Sequence, residues 1–458
     1  MKRKSRLLVT AVTLALSLSQ ALHAGRAQTL TDAQGSQQPQ SDRSSLVRYV
    51  DPTGGMKADE AVAYALTHNP ELLAVRQDVE AARARVRQAR LRPNPMLDIN
   101  GQRVIVGTDN SLMVSGTLPL ELGGRRAARV SVAEREVEIQ EQMVRDRERT
   151  LAAEVRGKFG EALADALKLG FTEDLLTASQ RGYRLVVARV VEGRTPPLEQ
   201  NMVLVEVNRL RSMREMSEGK VQVALLELRN LIGMRPEEPL RLKGDFNNLL
   251  DQPPPLEEST ARALNERPDI VAARAAESLA EAQIEEARAA GRLDASLSAG
   301  YQRMRSGFPV RGVNDKGELE PVENVFHFLT FGVTLNVPVR NKNQGAIEAA
   351  VSGLEAARRR REFAELTVRR EVAAAYARYE SAARAMEIFR VGVRGQSSAN
   401  LNVVRQTYEL GARTLLDYIS EQRRFIELET GYIDAVLETY AARVEIGRAT
   451  SSPDLITK

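Results

Sequence analysis

The sequence predicts a mainly α-helical protein with a small β part, built as two tandem copies of one unit. Three observations carry this. Residues 125–191 and 345–410 each run for more than sixty residues without a proline. Each run ends at once in a glycine-containing turn, Gly193-Arg194-Thr195-Pro196-Pro197 or Gly411-Ala412-Arg413-Thr414. Each is preceded by short stretches that alternate apolar and polar residues, the period of a strand.

A helix of sixty-odd residues at 1.5 Å per residue is on the order of 100 Å long. In the second copy Val368, Val372, Ala375, Tyr379, Ala382, Met386, Phe389 and Val393 recur at alternating steps of four and three. That is the seam of a left-handed coiled coil. Leu169, Leu176, Tyr183 and Val190 keep the same seven-residue beat in the first copy. Such seams must be covered by other helices.

The 458-residue chain has no cysteine or tryptophan, and aromatics are 4% of it, which disfavours one large globular core. Residues 1–27 read as a signal peptide. Lys2, Arg3, Lys4 and Arg6 precede the apolar run Leu7 to Leu22, with small residues at Ala24 and Ala27 for cleavage. Those four cations account for the formal charge of +4, so nucleic acid is not an expected partner. No later run of about 18 apolar residues would cross a bilayer as a helix. Entry into a membrane would require a closed β-barrel.

Residues 28–56, rich in Gln and Ser, are expected to be a polar tether. Repeat 1 spans 57–235. It opens with helix from Lys57 to Arg92, broken near Pro70 and stopped by Pro93 and Pro95. A β-hairpin at 96–120 follows: Leu97, Ile99 and Gly101 alternate with Asp98, Asn100 and Gln102, and Leu112, Val114, Gly116, Leu118 and Leu120 return after Gly107-Thr108-Asp109-Asn110. Then come the long helix 124–192, the turn, and a return helix from Leu198 to Ile232.

A Pro-rich connector at 236–256 separates the copies. Repeat 2 spans 257–450, with a hairpin at 295–339, a long helix at 343–410, a turn and a return helix; residues 451–458 form a tail. Asn69-Pro70-Glu71-Leu72 aligns with Arg267-Pro268-Asp269-Ile270, Leu118-Pro119-Leu120 with Val337-Pro338-Val339, and Gly193 with Gly411. The spacing grows inside the hairpin, so a longer loop is expected from Arg305 to Asn324. Leu329, Phe331, Val333, Leu335 and Val337 alternate along the return strand.

Four strands per chain cannot close a barrel, whereas three chains would supply twelve. Apolar residues on one face, with Asp98, Asn100, Gln102, Ser296, Ser298 and Gln302 on the other, suit a wall between lipid and water. Catalysis is not expected. Only His68 and His327 remain after the signal, and no HExxH, GxSxG, phosphate-loop or paired-Cys pattern occurs. Hence no enzyme activity, metal site or cofactor is expected.

Taken together, residues 57–450 resemble the TolC family of outer-membrane channels. The resemblance is carried by Leu118-Pro119-Leu120-Glu121-Leu122-Gly123-Gly124-Arg125-Arg126, by Val337-Pro338-Val339 and by Leu410-Gly411-Ala412-Arg413-Thr414-Leu415-Leu416-Asp417. The Leu-Gly-Gly-Arg form looks most like the heavy-metal efflux branch. The family implies a homotrimer with a twelve-stranded barrel in outer-membrane lipid above a periplasmic helical tunnel. It implies a passive exit duct of a tripartite efflux system for small solutes, metal ions or drugs, in the outer membrane with a large periplasmic portion. A periplasmic adaptor would dock at Gly193, Arg194, Thr195, Gly411, Ala412, Arg413 and Thr414, with an inner-membrane pump engaged indirectly. Tyr408 and Arg413 would bond to Glu199 and hold the tunnel shut, with Asp417 and Ser420 at its narrowest point. The rival readings are a type I protein-secretion channel and a non-channel periplasmic coiled-coil scaffold.

Overall fold

The computed structural model describes residues 45–105, 107–246, 252–453 and 455. The signal peptide expected at 1–27 lies outside them, as do tether residues 28–44. The elements run α1 (Ser45–Tyr49), α2 (Ala58–His68), α3 (Pro70–Arg90), β1 (Met96–Arg103), β2 (Asn110–Pro119), α4 (Arg125–Val191) and α5 (Pro197–Ile232). The second copy follows as α6 (Leu256–Glu266), α7 (Pro268–Ala290), β3 (Asp294–Val313), β4 (Leu319–Asn336), α8 (Gln344–Ile388), a π-helical turn (Phe389–Val393), α9 (Arg394–Glu409) and α10 (Leu415–Thr450).

Local chemistry sets the helix ends. Asn69 accepts from the Leu72 amide and caps α3, whose first residue is Pro70. Gly193, Gly233 and Gly411 all take positive φ where α4, α5 and α9 stop. At 67 residues α4 is about 100 Å long, which puts the sheet at one end of this helical unit and the helical turns at the other.

Among the described residues the core falls into four clusters, two of them large, and the first takes in Val436 and Tyr440 of α10 from the second copy. Leu72, Leu151, Phe159, Leu163, Leu228 and Ile232 fill the first, among α2–α5. Val368, Val372, Ile270 and Ile446 fill the second, where α6 and α7 meet α8 and α10.

The four strands form one antiparallel sheet in the order β1-β2-β3-β4. The β2–β3 ladder, with Val114 opposite Tyr301 and Leu118 opposite Leu297, fuses the two hairpins. Register puts Leu97, Ile99, Val114, Leu118, Leu297, Phe331, Val333 and Leu335 on one face and Asp98, Asn100, Ser115, Ser298 and Thr334 on the other. The apolar face is bare: Leu329 is 73% exposed and Phe331 81%. Strands β1 and β4 each have an unpaired edge.

Three expectations are corrected. The loop expected at 305–324 is mostly strand, because the β3–β4 ladder continues past a bulge between Gly307 and Arg311 and turns only at 314–318. The end of the tether is ordered: Tyr49 is buried, and Leu242 of the connector bridges to Val50 and Met56. Within the tail, Leu455 is buried against Gly447 and its carbonyl accepts from Arg156. Finally, the second long helix is interrupted by the π turn. There the Phe389 ring lies close to Gly431, and Arg394 reaches across to Glu429. One additional residue in a turn rotates the helix beyond it by roughly 100°.

Candidate functional site at the helical tips

Two hairpin ends lie together at the far end from the sheet. In the first, the Arg194 amide donates to the Arg189 carbonyl and Gly193 takes φ 73°. In the second, the Ala412 amide donates to the Thr407 carbonyl and Gly411 takes φ 79°. Both closures bind a helix-end carbonyl five residues back, a geometry that needs a left-handed residue. Only the second tip starts its return helix with a reciprocal cap. Thr414 Oγ1 accepts from the Asp417 amide, while Asp417 Oδ2 accepts from the Thr414 amide and hydroxyl. The first tip uses Pro196 and Pro197 instead.

Gly193, Arg194, Gly411, Ala412, Arg413 and Thr414 are exposed, and Thr195 is half-buried. Beside them stand two leucines that sequence reasoning passed over, Leu198 at 68% exposure and Leu416 at 63%. The signal was present: both occupy matching positions in the first turn of the return helix, where a solvated leucine has no core to serve.

Tyr408 and Glu199 are brought together, the phenol donating to Glu199 Oε2 at 3.0 Å. Burial, and then this bond to a carboxylate, push the Tyr408 pKa up to about 12. Tyr418 stacks on Tyr408 with ring centroids 5.9 Å apart, and burial raises its pKa. The expected Arg413–Glu199 bond is not made. Arg413 is exposed and faces Asp417, so of the two expected partners it is Tyr408 that bonds Glu199. Asp417 is held below the usual carboxylate range by the Thr414 hydroxyl and then the Thr414 amide, so the cap keeps it ionised. Ser420 donates to the Asp417 carbonyl.

One layer above, sequence reasoning missed a buried polar tie between α5 and α10. Glu206, whose side chain is 3% exposed, accepts from Arg209 at 2.5 Å and from Arg423 at 3.0 Å. Burial pushes the Glu206 pKa up, but the bonds from Arg209 and then Arg423 outweigh it, leaving the carboxyl lowered. Gln422 Nε2 donates to buried Ser179 Oγ at 2.8 Å. A cavity of about 390 Å³ lies between these ties and the Tyr408–Tyr418 pair. No helix among the described residues is apolar enough to span a bilayer, and no cluster there has the ligands for a metal. His68 stacks on Tyr64 and bonds Thr67, while His327 bonds the Tyr301 hydroxyl.

The chain as a whole is similar to known proteins. The model of the outer membrane efflux protein family matches residues 62–234 and 260–451, nearly all of both copies. The chain is 22% identical over 414 residues to the cobalt-zinc-cadmium resistance protein CzcC of Cupriavidus metallidurans, covering 89% of this chain and 94% of that one. It is 25% identical to the nickel-cobalt-cadmium resistance protein NccC of Alcaligenes xylosoxydans, over 70% of each. Among solved structures it superposes on CusC with a TM-score of 0.72 at 20% identity, covering 88% of this chain and 93% of CusC.

Proposed function

Since the chain belongs to the outer membrane efflux protein family, we propose that three copies form an exit duct for divalent metal cations. Its tips would be opened by a periplasmic adaptor coupled to an inner-membrane pump. The observation that carries this is the sheet. Its two edges are unpaired and one face, over the half nearer the helices, is apolar and mostly exposed, on a chain whose helices extend about 100 Å away. Edge strands left open in a bilayer are costly, and closure with two further copies removes them. Twelve strands make a barrel within the range that spans outer membranes.

The duct has no chemistry of its own to perform. In the closed state Tyr408–Glu199 and Arg423–Glu206 tie the second copy's tip to the first. An adaptor seated on Gly193, Arg194, Thr195 and Gly411 to Thr414 would shift that balance. Leu198 and Leu416 would supply apolar contact in the same footprint. Three ionised Asp417 carboxylates at the narrow end would favour cations. Metal cargo is supported by the names of the relatives, which confer resistance to cobalt, zinc, cadmium and nickel.

Deleting the gene and complementing it with Arg194→Glu/Arg413→Glu tests both parts. Deletion should sensitise cells to these metals. The double variant should fail to rescue while its detergent-extracted assembly stays intact. Full rescue by the variant would remove adaptor docking at the tips, and unchanged metal tolerance after deletion would remove the cargo.

A further inference from the structure

We propose that the four helix–strand junctions form a basic collar that binds the phosphate headgroups of anionic phospholipids in the leaflet nearest the helices. The proposal rests on the outer-membrane duct reading above and adds a specific lipid class to it. All four strands meet their helices at one end of the sheet, since Met96 pairs near Thr117, Pro119 with Ser296 and Asp294 with Asn336. The junctions therefore share one level, directly below the apolar face.

That level is unevenly charged. Arg92, Arg126, Arg340 and Lys342 are all exposed, and their side chains make no ion pair among the described residues. Two of the acids there are paired, Glu121 with Arg129 at 2.7 Å and Asp294 with Arg125 at 3.0 Å, while Glu136 and Glu286 line a hollow with Arg92. Most arginines on the helices pair with a carboxylate, as Arg83 does with Glu141 and Arg361 with Glu365, although Arg85, Arg87, Arg181 and Arg360 also make no ion pair among the described residues.

Apolar neighbours identify the occupant as a lipid. Leu91 precedes Arg92, Leu122 stands just before Arg126, and Val339 precedes Arg340, and each of the three is exposed. Val337 and Val339 carry exposed apolar surface from β4 down to Arg340, while Leu91 and Leu122 are separated from the strands by Asn94 and Glu121. This suits acyl chains against the leucines and valines, with guanidinium groups reaching up to the phosphates. A soluble protein or a free anion would match the charge but leave this apolar surface in water. Each basic group near an anionic surface multiplies binding about fivefold.

The test uses the full chain in detergent, equilibrated with equal amounts of phosphatidylglycerol and phosphatidylcholine of matched acyl chains. Retained lipid is counted by native mass spectrometry. The wild type should retain phosphatidylglycerol over phosphatidylcholine by about tenfold or more. The variant Arg92→Gln/Arg126→Gln/Arg340→Gln/Lys342→Gln should keep both lipids near equally, and excess inorganic phosphate should not displace phosphatidylglycerol from the wild type. Equal retention by the wild type, an undiminished preference in the variant, or displacement by phosphate would overturn the collar and leave the duct reading standing. A chain that retains neither lipid and stays soluble without detergent would overturn both.

Discussion

The two copies do the same job with different chemistry, and the long helices show it most clearly. In the first copy α4 is unbroken and buries side chains along its length, from Ala133 to Val186. Gly160 lets it approach α10 so closely that an added Cβ would stand 2.4 Å from the Tyr440 ring. In the second copy, α8 and α9 are parted by the π turn. The turn buries nothing, α9 buries only Ser397, and Gly392 has open space around it. Ile388, Val391 and Val403 are bare. The π turn and α9 are thus less buried than α4, although the first copy also leaves Leu185, Val205 and Met216 exposed on its helices. A weakly packed segment opens at low free energy, so a moving part belongs in the second copy.

The same asymmetry holds where each return helix ends. Asn69 donates to the Leu231 carbonyl at the end of α5. At the matching place Arg267 donates to the Ala449 carbonyl at the end of α10, and also pairs with Asp269 and Glu371. A neutral amide suffices in one copy, whereas the other buries a cation that needs two carboxylates.

The largest expected break in this comparison comes from Glu206, the residue of the first copy that holds the second. Arg209→Met with Arg423→Met strands a buried carboxylate and should cost about 3 kcal/mol or more in denaturant unfolding. Because the wild-type carboxyl is lowered, its stabilisation is complete above the ordinary Glu range and is lost as pH falls through the lowered value. In the double variant protonation relieves the stranded charge, so the deficit should shrink on acidification. A variant as stable as wild type at neutral pH would show that this tie does not join the copies.

A smaller effect is expected at the tips. Tyr408→Phe removes one bond to a carboxylate, worth about 1.5 kcal/mol, which is roughly a tenfold rise per copy in the open fraction of channels in a planar bilayer. The Tyr408 pKa is raised from 10.0 to about 12, so the bond contributes fully below pH 10 and fades as pH rises through about 12. An unchanged open fraction, or wild-type channels indifferent to that alkaline window, would mean the phenol does not hold the gate.

The smallest effect sharpens the contrast between the long helices. Gly392→Ala should stabilise the chain by up to about 1 kcal/mol, as alanine does in an unconstrained helix, whereas Gly160→Ala should destabilise it. Thermal melts of both variants in detergent would decide. A loss at Gly392 matching that at Gly160 would place a neighbouring copy against the π turn.

Much of this molecule was legible from local chemistry alone. Proline-free runs marked the long helices, glycine marked the tips, alternation marked both faces of the sheet, and the repeated Asn69-Pro70 and Arg267-Pro268 landmarks exposed the duplication. These are properties of residues a few positions apart, and propensity and period act at that range. What tertiary structure decided were pairings between distant residues. Tyr408 rather than Arg413 meets Glu199, Arg423 finds Glu206, and the π turn answers Gly431 on another helix. The β3–β4 ladder ran through a stretch whose glycines, proline and charges favour a loop, because each new pair only extends a register already set below it. Which of several arginines reaches a given carboxylate depends on helix rotation to within a fraction of a turn, and that is set by packing along the whole length of the rods.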